Sequence, residues 1–138
     1  MIKKQRLLTV FFTTMLAFAT VARASETEAA SGRIFELRTY ITHEGRLEDL
    51  NSRFRDHTNG FFVKHGMQLV GYWEPQEEED TLIYILAFPS LEARERSWED
   101  FRNDEGWKKA YAESTENGPL VKKIISQIMD PTDYSPIR

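Results

Sequence analysis

Three side chains able to hold or orient charge recur at intervals of two in the segment IFELRTY: Glu36, Arg38 and Tyr40. That interval puts them on one face of a β-strand and leaves Phe35 and Leu37 on the other. An arginine so placed can grip the carboxylate or enolate of a small ligand through paired N–H donors, with Tyr40, or Tyr84 from a later strand, orienting it. The plainer use of the same residues is a buried pair in which Glu36 neutralises Arg38. His65 is the candidate for acid-base work, because it ends a helix beside Gly66, where the C-terminal dipole favours a charged imidazole. Bonding to a backbone carbonyl is its plainer use.

Other chemistries find no support. The chain has no cysteine, so disulfides, thiolate metal sites and a catalytic thiol are excluded. His57 and His65 are eight residues apart, not the four that place two imidazoles together on zinc. His57, between Phe54 and Phe61, reads as a core histidine with one nitrogen satisfied. The run Glu77-Glu78-Glu79-Asp80 lacks the alternating ligands and glycine of a calcium loop and reads as a solvated turn. No metal or cofactor is expected, and there is neither a glycine-rich phosphate loop nor a G-x-S-x-G elbow. Trp73, Trp98 and Trp107 read as packing rather than as a stacking platform.

Charge and targeting point to a compartment. Of 18 Lys and Arg, four (Lys3, Lys4, Arg6 and Arg23) precede Ser25, whereas all 22 Asp and Glu follow it, so the part from Ser25 onward carries −8 against −4 for the whole chain. That sign disfavours nucleic acid as a partner. Residues 1–24 combine a cationic start, an apolar run over 7–22 and the ending Ala22-Arg23-Ala24, the pattern of a secretory signal peptide cleaved after Ala24. A periplasmic or secreted protein, free of the membrane after cleavage, is expected, with residues 25–32 as a flexible leader and 33–138 as one folded domain.

The elements that must position these residues follow from periodicity. Strands are expected over 34–40, 67–75, 81–88 and 121–129. An amphipathic helix follows Gly45 and ends at His65-Gly66; a second covers 91–102 with Ser90 as its cap; a short third covers 105–114 before Asn117-Gly118-Pro119. This order predicts an α+β ferredoxin-like sandwich, a four-stranded antiparallel sheet with helices on one face. The uncovered face, expected to carry Tyr72 or Trp73, Tyr84, Ile124 and Ile128, is too apolar for water, which predicts a homodimer packed sheet to sheet around a cavity.

The segments ELRTY, HG followed by VGYW, LIYILAF leading into SWEDF, EGWKKAYAES and MDPTDYSP together resemble the NIPSNAP family over residues 34–136. The resemblance implies the dimeric α+β barrel superfamily, whose members include small monooxygenases without prosthetic groups, haem-handling proteins, isomerases and dehydrating enzymes. Animal members of the family are linked to mitochondria and vesicle traffic, roles that a secretory signal gives no reason to carry over. Two functions are therefore expected as alternatives. One is a dimeric extracytoplasmic module binding a small molecule or partner. The other is a cofactor-independent monooxygenase or isomerase acting on a small carbonyl or aromatic compound in the intersheet cavity. There Arg38 would hold the anion, Tyr40 and Tyr84 would donate hydrogen bonds and His65 would be the acid or base.

Overall fold

A computed structural model describes residues 32–138. The expected signal peptide and nearly all of the expected leader lie outside the described residues. The elements are β1 (Ile34–Thr42), α1 (Leu47–Arg53), a π-helical turn (Phe54–Thr58), α2 (Asn59–Lys64), β2 (Gln68–Trp73), β3 (Thr81–Phe88), α3 (Leu91–Asn103), α4 (Glu105–Ser114) and β4 (Val121–Met129). The sheet order is β2-β3-β1-β4, with every pairing antiparallel. This is the ferredoxin-like arrangement expected from the sequence.

Local chemistry fixes the element ends. Gly66, at φ 77°, closes α2 as the left-handed residue that terminates a helix, and Met67 N–H returns to the Phe62 carbonyl at 2.9 Å. The Ser90 hydroxyl accepts from Ala93 N–H at 3.1 Å and caps α3. Asp104 caps α4 with one carboxylate oxygen, accepting from Gly106 and Trp107 N–H.

Two expectations need correction. The helix after Gly45 is not uniformly α: the turn at Phe54–Thr58 takes in an extra residue, which rotates the buried stripe to Phe54, Thr58 and Phe62. His57 thereby faces solvent and is no core histidine. The second correction concerns the faces of the sheet. Arg38 pairs with Tyr84 and Ser126, Tyr40 with Leu82 and Ile124, and Glu36 with Leu86 and Ile128. Residues directly opposite in antiparallel strands point to the same side, and this side carries Leu82, Tyr84 and Leu86 into the core beneath the helices. Glu36, Arg38, Tyr40 and Tyr84 therefore lie between sheet and helices, not in an intersheet cavity. The open face carries Leu37, Thr39, Ile41, Ile83 and Ile85 instead, with Trp73 and Ile125 exposed beside them.

The core is aromatic. Phe62 meets Phe101 at 5.0 Å and Trp98 at 5.5 Å between ring centroids, while Tyr84 meets Phe54 at 5.2 Å, Tyr40 at 5.3 Å and Tyr72 at 5.5 Å. Such pairs contribute roughly 0.5–1.5 kcal/mol each beyond the area they bury. They give the cleft described next a stiff floor.

Candidate functional site

Glu36 is fully buried on β1 and is the centre of a polar network. Its carboxylate accepts from both nitrogens of an Arg94 fork (Nε at 2.8 Å, Nη2 at 2.9 Å), from Arg38 Nη1 at 2.7 Å, from Trp98 Nε1 at 2.7 Å and from the Ser126 hydroxyl at 2.6 Å. Burial alone would push this carboxyl upward. The hydrogen bonds from Arg94, Ser126 and Trp98, with the charge of Arg38, outweigh it and bring the pKa down to about 2. Two cations thus share one anion, and the network keeps a positive surplus.

Arg38 is held rigidly by this arrangement. Its guanidinium lies 4.4 Å from the centre of the Trp98 ring and 5.5 Å from that of Tyr40, and Nη2 reaches the Tyr40 hydroxyl at 3.3 Å. Burial opposes its charge, but the Tyr40 and Tyr84 phenols and the Glu36 carboxylate raise its pKa above the ordinary arginine value. Nε of Arg38 and the hydroxyl of Tyr84 are buried without a hydrogen-bond partner. Burial pushes the Tyr84 phenol well above its usual value.

Above these groups, α3 and α4 stand off from β1 and β4 and leave a cleft in two adjoining lobes. The larger, about 660 Å³, is bordered by Arg38, Arg94, Trp98 and Arg102; the smaller, about 320 Å³, by Arg53, Phe54, Thr58 and Leu120. Tyr40, Phe101, Trp107, Tyr111 and Ile124 border both. An aromatic slot with fixed cations and volumes in this range suits a small planar anion.

A family model described as NIPSNAP matches residues 35–136. The chain belongs to the NIPSNAP family. A putative NipSnap protein of Caenorhabditis elegans is 29% identical over 112 residues, covering 74% of this chain and 19% of that protein, so the chain spans about a fifth of its curated relative. Among solved structures, a NIPSNAP family protein from Agrobacterium tumefaciens superposes with a TM-score of 0.69 at 21% identity, covering 77% of this chain and 99% of that one. SnoaB, a cofactor-independent oxygenase from Streptomyces nogalater, superposes at 0.56 with 14% identity, covering 76% and 98%. At these identities the two structural likenesses speak to the fold alone, the α+β sandwich with its four-stranded antiparallel sheet.

In this NIPSNAP chain the fold brings together four of the five site residues expected from sequence, Glu36, Arg38, Tyr40 and Tyr84. It sets His65 apart. Nε2 of His65 lies 2.8 Å from Asp104 Oδ2, which also takes Lys64 Nζ at 2.5 Å. His65 therefore ties the end of α2 to the α3–α4 corner, and the hydrogen bonds from Lys64 and His65 hold the Asp104 carboxyl well below its usual range. Sequence reasoning missed Arg94, Ser126 and Arg53. Arg94 had left a signal: the stripe Leu91, Arg94, Trp98, Phe101 steps by three, four and three, so an arginine holds an inward position of an amphipathic helix. Among the described residues no group of His, Cys, Asp and Glu is placed to hold a metal ion, and no helix is long and apolar enough to cross a membrane.

Proposed function

We propose that this protein binds a small planar anion in the cleft between its sheet and its helices, as an extracytoplasmic homodimer with one cleft per subunit. The observation that carries the reading is Arg38: a guanidinium locked by Glu36, stacked on Trp98, with a buried unpartnered Nε, at the border of a 660 Å³ aromatic cavity. Its geometry is set before any ligand arrives, which lowers the ordering cost of binding. Dimerisation is supported by the apolar open face, where Trp73 is 51% and Ile125 39% exposed beside Ile83 and Ile85. A second copy of the same sheet is the self-complementary cover. Export rests on the signal-like residues 1–24 and is checked by intact mass of the periplasmic fraction, where Ser25 is the expected first residue.

The binding reading is tested by thermal shift with 1-naphthoate and 1-naphthamide on the mature protein. Both are expected to raise the midpoint in wild type and to do so far less in Ile124→Trp, because Ile124 borders both lobes, is half-exposed on an edge strand and can be enlarged without disturbing the core. Equal shifts in the two proteins would place the probes elsewhere.

The fold likeness to SnoaB favours a second reading, a cofactor-independent oxygenase, which oxygen uptake with polyhydroxylated aromatic compounds would reveal. The titrating groups buried beneath the cleft favour binding over proton transfer. Glu36 is a weak base with its carboxyl near 2, and Tyr84 holds its proton far above neutrality.

A further inference from the structure

The cleft has two cationic ends, and they are built differently. Arg53, at the last turn of α1, is 6% exposed. Its Nη1 donates to the Ser114 hydroxyl at 3.2 Å, and its guanidinium lies 5.1 Å from the Tyr111 ring centre and 5.5 Å from that of Trp107. Nε is buried without a partner. Among the described residues no carboxylate lies within ion-pair distance of it: Asp49, Asp56 and Glu113 share an outer surface pocket with Arg53, but Asp49 pairs with Arg46, Glu113 with Lys109 at 3.8 Å, and Asp56 is exposed. With Nη1 spent on Ser114, the edge formed by Nε and Nη2 is left, which is an edge that receives a carboxylate side-on. A buried charge without a counter-charge is expensive to the fold.

A second observation falls at the same place. The π-helical turn begins at the next residue, with the Thr58 hydroxyl donating to the Arg53 carbonyl at 3.3 Å. Such turns are rare and cluster at functional sites. This one sets Phe54 and Thr58 into the cleft wall beside Arg53. Within an α-helix of uniform pitch the same residues would fall on a different stripe.

Building on the cleft as a ligand site, we infer that its occupant is a flat carboxylic acid whose carboxylate takes Arg53, with the ring between Tyr40, Trp107 and Tyr111. Arg38 and Arg94, already engaged by Glu36, face the other end of the molecule. The acid supplies the charge that Arg53 lacks in the ligand-free chain.

The test is calorimetric titration of 1-naphthoate and neutral 1-naphthamide into wild type, Arg53→Met and Arg53→Lys, with the ligand-free thermal midpoint of each. The naphthoate is expected to bind Arg53→Met at least about tenfold more weakly than wild type, while the amide changes little. Arg53→Lys, which keeps the charge without the fork, should recover only part of the loss. Ligand-free Arg53→Met should melt at or above the wild-type temperature, because an uncompensated buried cation is removed. Amide binding retained in all three proteins with naphthoate affinity unchanged in Arg53→Met would overturn the Arg53 assignment and leave the cleft standing. So would a lowered midpoint in Arg53→Met with unaltered naphthoate affinity. Failure of both probes to bind wild type would overturn the cleft and the assignment together.

Discussion

The two faces of the sheet invert the usual rule. Beneath the helices, where apolar side chains are expected, lie Glu36, Arg38, Tyr40 and Tyr84, and the carboxylate is completely buried. On the uncovered side, where polar side chains are expected, lie Leu37, Ile41, Ile83 and Ile85. A buried polar network is costly unless every member is satisfied. Glu36 is satisfied five times over, but Arg38 Nε and the Tyr84 hydroxyl are not. An exposed apolar face is equally incomplete without a partner. Each face is therefore left incomplete, by unmet hydrogen-bonding groups on one side and by exposed apolar surface on the other.

The strongest way to break the covered face is Glu36→Gln. It strands Arg38 and Arg94, 14% and 19% exposed, without their shared counter-charge. A loss of about 3 kcal/mol or more in urea unfolding is expected. The pH dependence has a definite sign. The folded carboxyl titrates at about 2 against an ordinary 4.5, so its contribution is fully present above 4.5 and is lost as pH falls from 4.5 through 2, about 3 kcal/mol in all. Glu36→Gln should lack that acid limb. Arg38→Met is expected to cost much less, because Glu36 keeps the Arg94 fork, Trp98 and Ser126. The idea of a self-contained Glu36–Arg38 pair, in which losing the arginine orphans the acid, gives way to this shared arrangement.

The open face is broken next. Ile85→Asp places a carboxylate opposite Leu37 and Gly71 on the face assigned to the second copy. Sedimentation should show a dimer for wild type and a shift toward monomer for the variant, the association weakened by roughly 2–3 kcal/mol. Probe binding in the cleft should be unchanged, since Ile85 points away from it. A stable wild-type monomer at micromolar concentration would remove the dimer and leave the cleft untouched.

The alternation in IFELRTY made both faces legible in the sequence, and Gly66, Ser90 and Pro119 marked element ends correctly. The alternation did not tell which face the helices would cover. A period of two separates odd from even residues and carries no sign, so the polar set of β1 reads equally well as facing a partner or facing a helix. Tyr84 suffered most, because TLIYILAF is apolar on both faces and its neighbours gave no contrast. Arg53 was illegible for a different reason. A 3.6-residue period assigns it to the solvated side with Arg46 and Asp49, and only the extra residue of the π-helical turn brings the wall of the cleft round beside it. Arg94 and Ser126 come from elements 58 and 90 residues away from Glu36, a proximity that only the folded sheet creates.

The smallest expected effect is the sharpest comparison, because Tyr84 and Ile85 are neighbours on opposite faces. The Tyr84 hydroxyl gave up its water on folding and received no hydrogen bond in return. Removing such a group while keeping its ring leaves the contacts with Tyr40, Phe54, Phe62 and Tyr72 in place. Tyr84→Phe should therefore raise the ligand-free stability slightly, by up to about 1 kcal/mol, the scale of an unmet buried donor. Binding of 1-naphthoate should not change, since Tyr40 stands between Tyr84 and the cleft and borders both lobes. Lower stability in Tyr84→Phe would mean that the hydroxyl is satisfied in solution. Weaker probe binding with stability unchanged would mean that it is satisfied by the ligand, and Tyr84 would then join Arg38 and Arg53 as a contact rather than as part of the floor beneath them.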